Sequence, residues 1–143
     1  MPKKKQTVRV LSIRQPYADL ILSGDKPVEN RTWQTKHRGR LYIHASRWHS
    51  KREQTEAMAA GHPGDGSTQA IIGYVDLTDI TESDLLLSFR RGCPDEIRQF
   101  ADTWDEDQWH HVCGPYCWIF QNPVKIEPIE GVKGKLNLWP YEI

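Results

Sequence analysis

The sequence predicts an α+β fold, a small mixed β-barrel or strongly curved sheet with helices at its ends. Three observations carry this. Short apolar runs alternate as half-buried strands do. One longer run, AIIGYVDLTDI at 70–80, is almost continuously apolar and reads as a central strand. Segments with helical spacing are interspersed among the strands.

Taken in chain order, Val8–Ile13 alternates weakly and reads as a strand. In RQPYADLILSG, Pro16 suits the first helical position, where its missing N–H costs nothing. Tyr17, Leu20 and Ile21 then fall on one helix face, and Gly24 can close the helix in the left-handed conformation. Residues Val28–Trp33 read as extended. After Gly39, RLYIHAS alternates, with Leu41, Ile43 and Ala45 on one face and Tyr42, His44 and Ser46 on the other. Residues 47–60 read as a helix ending at Gly61, and HPGDGST as a loop. Beyond the central strand, Ser83–Arg91 and Pro94–Trp109 read as helices inserted between strands, the second markedly acidic. PYCWIFQNPVKIEPI reads as a strand broken by Pro123, and GKLNLWPYEI as a final short strand.

A chain of 143 residues suits one domain with a single core, here 1–143. No run is long and apolar enough to span a bilayer, and MPKKKQTVRV has a basic start without an apolar signal core. Three Cys, an odd number, argue against a disulfide framework. These features predict a soluble, cytoplasmic protein with no membrane partner. The net charge of zero hides a division. Residues 1–54 hold 13 Lys+Arg against 4 Asp+Glu, a net of +9, and residues 55–143 hold 6 against 15, a net of −9. Such asymmetry either offers one face to an anion or neutralises itself within the fold.

The densest chemistry is in GDKPVENRTW, residues 24–33. On an extended segment Glu29, Arg31 and Trp33 share a face, with Lys26 just upstream. Trp33 could stack on a base, Arg31 and Lys26 could meet phosphates or base edges, and Glu29 could orient them. The plainer reading is a solvated ion pair beside a core Trp. Gln15 and Tyr17 flank Pro16 and could read and stack on a base, or merely cap and pack. His44 and Ser46 share a strand face, but such a pair is not a triad. HHVCGPYC places His110, His111, Cys113 and Cys117 within eight residues, and neither that spacing nor the addition of Cys93 matches a zinc pattern. No metal and no cofactor are predicted.

The stretch LSIRQPYADLILSGDKPVENRTWQTKHRGRLYIHAS closely resembles the opening of ASCH domains, the activating signal cointegrator-1 homology family. The matching pattern comprises Gln15, Pro16, Tyr17, Gly24, Lys26, Glu29, Arg31, Trp33, Arg38, Gly39 and His44. The resemblance continues in IIGYVDLTDI and GPYCWIFQNPVKIEPIEGVKGKLNLW, and is weakest through 82–110. It implies a PUA-like fold, a small barrel with a cleft between barrel and helix where RNA or DNA binds. Carried over, it implies that Gln15, Tyr17, Lys26, Glu29, Arg31, Trp33, Arg38 and His44 form the binding site for RNA, DNA or a nucleotide. Some small members resemble an N4-acetylcytidine amidohydrolase that uses a Lys, a Thr and a Glu. The Lys falls at Lys26, but the Thr falls at Glu29, which has no hydroxyl. Other members resemble metal-independent ribonucleases. If the chain is an enzyme, Lys26 and Glu29 are its catalytic candidates. The QPY, ENRTW and HRGRL segments resemble the cointegrator-type subgroup, for which binding is the implied role. The acidic segment 94–109 is a further candidate surface for a protein partner.

Overall fold

The computed structural model describes residues 5–89 and 101–143. Its elements are β1 (Thr7–Ile13), α1 (Tyr17–Ser23), β2 (Val28–Arg31), β3 (Gly39–Ala45), α2 (Lys51–Ala59), β4 (Ala70–Glu82), α3 (Ser83–Phe89), α4 (Glu106–Trp109), β5 (Tyr116–Glu130) and β6 (Leu138–Glu142). The strands form one curled, half-barrel sheet of six in the order β2-β5-β4-β3-β1-β6. Only β1 and β3 run parallel; the other neighbours are antiparallel. The α+β class and the central position of the 70–80 run are therefore as the apolar pattern predicts. Among the described residues no helix is long and apolar enough to cross a membrane.

The parallel pair explains where α1 lies. Chain leaving β1 must cross to reach β3, and α1 and β2 occupy that crossover. Ala18, Ile21 and Leu22 of α1 enter the main core with Leu11, Ile13, Leu41, Ile43, Val75, Leu77 and Trp118. Leu22 sits over Gly73, where a Cβ would collide with it and with the Val124 carbonyl. The helix can approach the sheet closely because β4 has no side chain there. Gly24 ends α1 in the left-handed conformation, φ 88°, with its N–H bonded to the Ile21 carbonyl. Pro16 stands one position earlier than expected, as the residue capping the helix.

A second cluster lies behind β2. Val28, Cys117 and Ile119 meet Leu86, Ala101, Trp109 and Val112. Helix α4 is a single turn closed by a reciprocal Asp105–Gln108 capping box. Gln108 Nε2 donates to the Gly24 carbonyl at 3.0 Å, which ties α4 to the end of α1. Of the helix expected over Pro94–Trp109, residues up to 100 lie outside the described residues; beyond them Ala101 is helical, 102–105 are not, and α4 is a separate turn. The acidic surface assigned to 94–109, and Cys93, fall wholly or partly on that stretch.

Three expectations are corrected. The expected helix over 47–60 begins only after Ser50, whose side chain accepts from the Glu53 N–H and caps α2. Strand β5 runs unbroken through Pro123. Tyr74 pairs Val124 and Asp76 pairs Gln121, so Asn122 and Pro123 sit in a bulge where no ladder N–H is required. Finally, His44, expected on the polar face of its strand and among the binding residues, is fully buried. Its ring lies edge-on to Trp139 and its Nε2 bonds the Val132 carbonyl at 2.6 Å. A carbonyl only accepts, so Nε2 carries the proton and donates. The segment after β5 thus covers a strand face that alternation alone leaves open.

Burial pushes the His44 imidazole below its usual pKa, against the opposing effect of the Val132 bond. The folded protein therefore holds His44 neutral where the unfolded chain binds a proton. The resulting stability is complete above the unfolded pKa of about 6.5 and is lost as pH falls below it. Urea midpoints should decline between pH 7.5 and pH 5.5, and His44→Gln should flatten that decline; an unchanged slope in the variant contradicts this role.

Candidate nucleic-acid interface

The site begins with the turn between α1 and β2. The turn delivers Lys26 inward and β2 holds Glu29 beside it, so that both are nearly inaccessible at 3% and 8% exposure. Lys26 Nζ donates to the Val28 carbonyl and to Glu29 Oε1, at 3.0 Å from the latter. Arg31 Nη2 donates to Glu29 Oε2 at 2.9 Å and to the Ser12 carbonyl of β1 at 2.9 Å. One carboxylate is therefore held between two cations. Burial alone would raise the Glu29 pKa. The charges of Lys26 and Arg31, and the hydrogen bonds from both, outweigh it and hold the carboxyl below its usual range. Two cations and one anion leave the cluster with a net charge of +1.

Two adjoining cavities open over this cluster. The larger, about 380 Å³, is lined by Tyr17, Lys26, Glu29, Asn30, His110, His111 and Cys113. The other, about 270 Å³, is lined by Ser12, Ile13, Arg14, Tyr17, Glu29, Asn30 and Arg31. Tyr17 edges both and is 46% exposed, so its ring is accessible from the cleft. Its centroid lies 5.5 Å from Lys26 Nζ, within cation–π range.

Asn30 builds the far wall. Its Nδ2 donates to the His111 carbonyl at 2.8 Å. Its Oδ1 accepts from the N–H groups of Cys113 and Gly114 at 3.1 and 3.0 Å, and from the Cys117 thiol at 3.3 Å. This side chain fastens the 110–114 segment across the cleft. Burial, and then the charge of Lys26, lower the His111 pKa, so its imidazole is neutral near pH 7. Burial raises the Cys117 pKa and keeps it a thiol. Among the described residues no group of three or more His, Cys, Asp or Glu is arranged to hold a metal.

The expected site residues separate into two groups. Tyr17, Lys26, Glu29 and Arg31 come together around the cavities. Gln15, Trp33, Arg38 and His44 line neither. Gln15 is buried, with Nε2 donating to the Ser67 carbonyl and Oε1 accepting from the Asp19 N–H. Strand β2 stops at Arg31, so the alternation does not carry to Trp33. The Trp33 ring instead packs edge-on against Trp118 at 4.8 Å, and its carbonyl accepts from Trp118 Nε1. Arg38 Nη1 donates to the Thr35 and His37 carbonyls, closing its own loop, and Nη2 lies 3.8 Å from Asp79. Missing from the sequence reading were Arg14, as a lining residue, and Asn30. The sequence pattern marks His110, His111 and Cys113 only as candidate metal ligands, not as cleft lining.

The ASCH domain model matches residues 11–130. The chain belongs to the ASCH domain family. Activating signal cointegrator 1 of Homo sapiens is 30% identical to it over 139 residues, covering 90% of this chain and 21% of that protein. The Mus musculus protein of the same name is 29% identical, again covering 90% of this chain and 21% of its own length. The chain thus spans about a fifth of the length of these curated relatives. A crystal structure of ASCH from Zymomonas mobilis aligns with a TM-score of 0.49 at 19% identity, covering 86% of this chain and 73% of that one.

The ASCH core should depend on the Glu29 charge. Glu29→Gln leaves two cations facing each other without their anion, and should cost about 3 kcal/mol at pH 7. A carboxyl with a depressed folded pKa contributes stability above its unfolded value of about 4.3, and loses it as pH falls through the folded one. The gap between wild type and Glu29→Gln in urea unfolding should therefore shrink below about pH 4; a gap independent of pH contradicts the assignment.

Proposed function

We propose that this ASCH domain, taken as one unit over 1–143, binds single-stranded nucleic acid or a nucleotide in the cleft edged by Tyr17. The observation that carries the reading is the exposed Tyr17 ring standing over buried Lys26 at a cavity of about 380 Å³. That volume is at the lower end for a ligand pocket and fits one nucleotide better than a duplex. A tyrosine face accepts any base, and stacking is worth about 1–3 kcal/mol per base. Two of the three N–H donors of Lys26 are engaged by Val28 and Glu29, leaving one for the ring or for a ligand. Family membership supports the same direction.

A second reading is hydrolysis of a modified nucleoside or of RNA, with Lys26 and Glu29 as catalytic groups. It draws on their 3.0 Å contact at the cavity floor. Both are deeply engaged in structural bonds, which favours binding. Turnover of N4-acetylcytidine or of an RNA oligomer, abolished by Lys26→Ala in a folded protein, would establish it.

The binding reading predicts a modest salt slope. Two or three phosphate contacts to a single strand give a log–log slope of about −1.4 to −2.1, or roughly tenfold between 50 and 200 mM salt. Tyr17→Ala should weaken a short single-stranded RNA or DNA oligomer by about 1–3 kcal/mol without unfolding the protein. Fluorescence anisotropy measures both. Affinity unaffected by salt and by Tyr17→Ala would overturn the proposal.

A further inference from the structure

The cleft has two compartments of different chemistry, joined at Tyr17, Glu29 and Asn30. In the Lys26 compartment the Glu29 carboxylate and the Asn30 amide are already compensated. Both Glu29 oxygens are engaged by cations, the Asn30 amide is engaged by the 110–114 segment, and His111 is neutral. Beyond the one Lys26 N–H left over, Glu29 and Asn30 offer no free partner, which suits a flat ring with an acceptor on its edge.

The second compartment differs. Arg14 is exposed, and among the described residues its guanidinium makes no hydrogen bond or ion pair, although its carbonyl accepts from the Ala18 N–H. Arg31 is bonded through Nη2 alone among the described residues, so its Nη1 and Nε are available. Among the described lining residues the one carboxylate is Glu29, shared between Lys26 and Arg31. The groove lining, Arg14 and Arg31 against Glu29, has a net charge of +1, and Lys26 behind Glu29 offsets that carboxylate from the other side. Guanidinium forks match phosphate oxygens two at a time, which makes a pair of them a better phosphate site than an isolated ammonium.

We infer that the Arg14–Arg31 groove is a phosphate subsite, so that the cleft takes a phosphorylated nucleotide unit with its base in the Lys26 compartment and its phosphate between Arg14 and Arg31. The inference rests on the nucleotide-binding reading above and adds to it a second subsite and a residue, Arg14. It makes the ligand a nucleoside monophosphate or the corresponding unit of a single strand, rather than a free nucleoside.

The test is calorimetric titration with adenosine, uridine, AMP and UMP at low salt, on wild type, Arg14→Gln and Tyr17→Ala. Wild type should bind each monophosphate at least tenfold more tightly than its nucleoside. Arg14→Gln should shrink that ratio to about threefold or less while leaving nucleoside affinity in place. Tyr17→Ala should weaken nucleoside and nucleotide alike. Arg14 is exposed, so its loss should not disturb folding, which circular dichroism checks. Equal affinity for nucleoside and monophosphate in wild type, or a ratio untouched by Arg14→Gln, overturns the subsite while the nucleotide-binding reading stands. Failure of all four compounds and of short oligomers to bind overturns that reading itself.

Discussion

A single carboxylate, Glu29, holds two cations at the junction of three segments. Lys26 comes from the turn after α1, Arg31 from the end of β2, and Arg31 reaches on to the Ser12 carbonyl of β1. Without the anion, Lys26 would be a buried charge with only a carbonyl and the Tyr17 ring beside it, an arrangement that costs several kcal/mol. With it, the α1–β2 turn, β2 and β1 are locked in one register beside the cavity mouth. Both compartments share Glu29 as a wall, so the charge that stabilises the fold also sets the potential of the cleft.

The charge division along the chain resolves only partly into the cleft. Lys26, Arg31 and Arg14 reach it, and all come from the basic first part of the sequence. Other members of that set meet the acidic part within the fold. Arg38 lies 3.8 Å from Asp79, and Lys5 lies 3.9 Å from Glu142. Still others sit on α2, where Arg52 pairs with Glu56 four residues on. Exposed pairs of this kind contribute little stability. The asymmetry is thus partly neutralised within the fold and partly gathered at the cleft.

What the sequence made legible was local. The Tyr17/Leu20/Ile21 spacing and Gly24 marked α1, and the apolar run at 70–80 marked the central strand. Lys26, Glu29 and Arg31 were recognisable because their partners lie within a few residues. The site residues that lie outside the cleft are held by distant partners. Gln15 is drawn inward by Ser67, His44 by Val132, and Trp33 by Trp118, each more than fifty residues away. Asn30 escaped notice because its role depends on residues 111–117, brought across by the β2–β5 pairing of Asn30 with Cys117. Pro123 misled in the other direction, since a bulge tolerates what a regular ladder does not.

The central claim is that ligand enters between Tyr17 and the 110–114 segment, above the Glu29 cluster. Amide chemical-shift mapping tests it most directly, with a short single-stranded RNA titrated into isotope-labelled protein. The account predicts shifts concentrated at Tyr17, Asn30, Arg31, His111 and Cys113, with Trp33 and His44 nearly still. Shifts centred instead on the Tyr42–Tyr74 pair of the opposite sheet face, with the cleft unmoved, would contradict it.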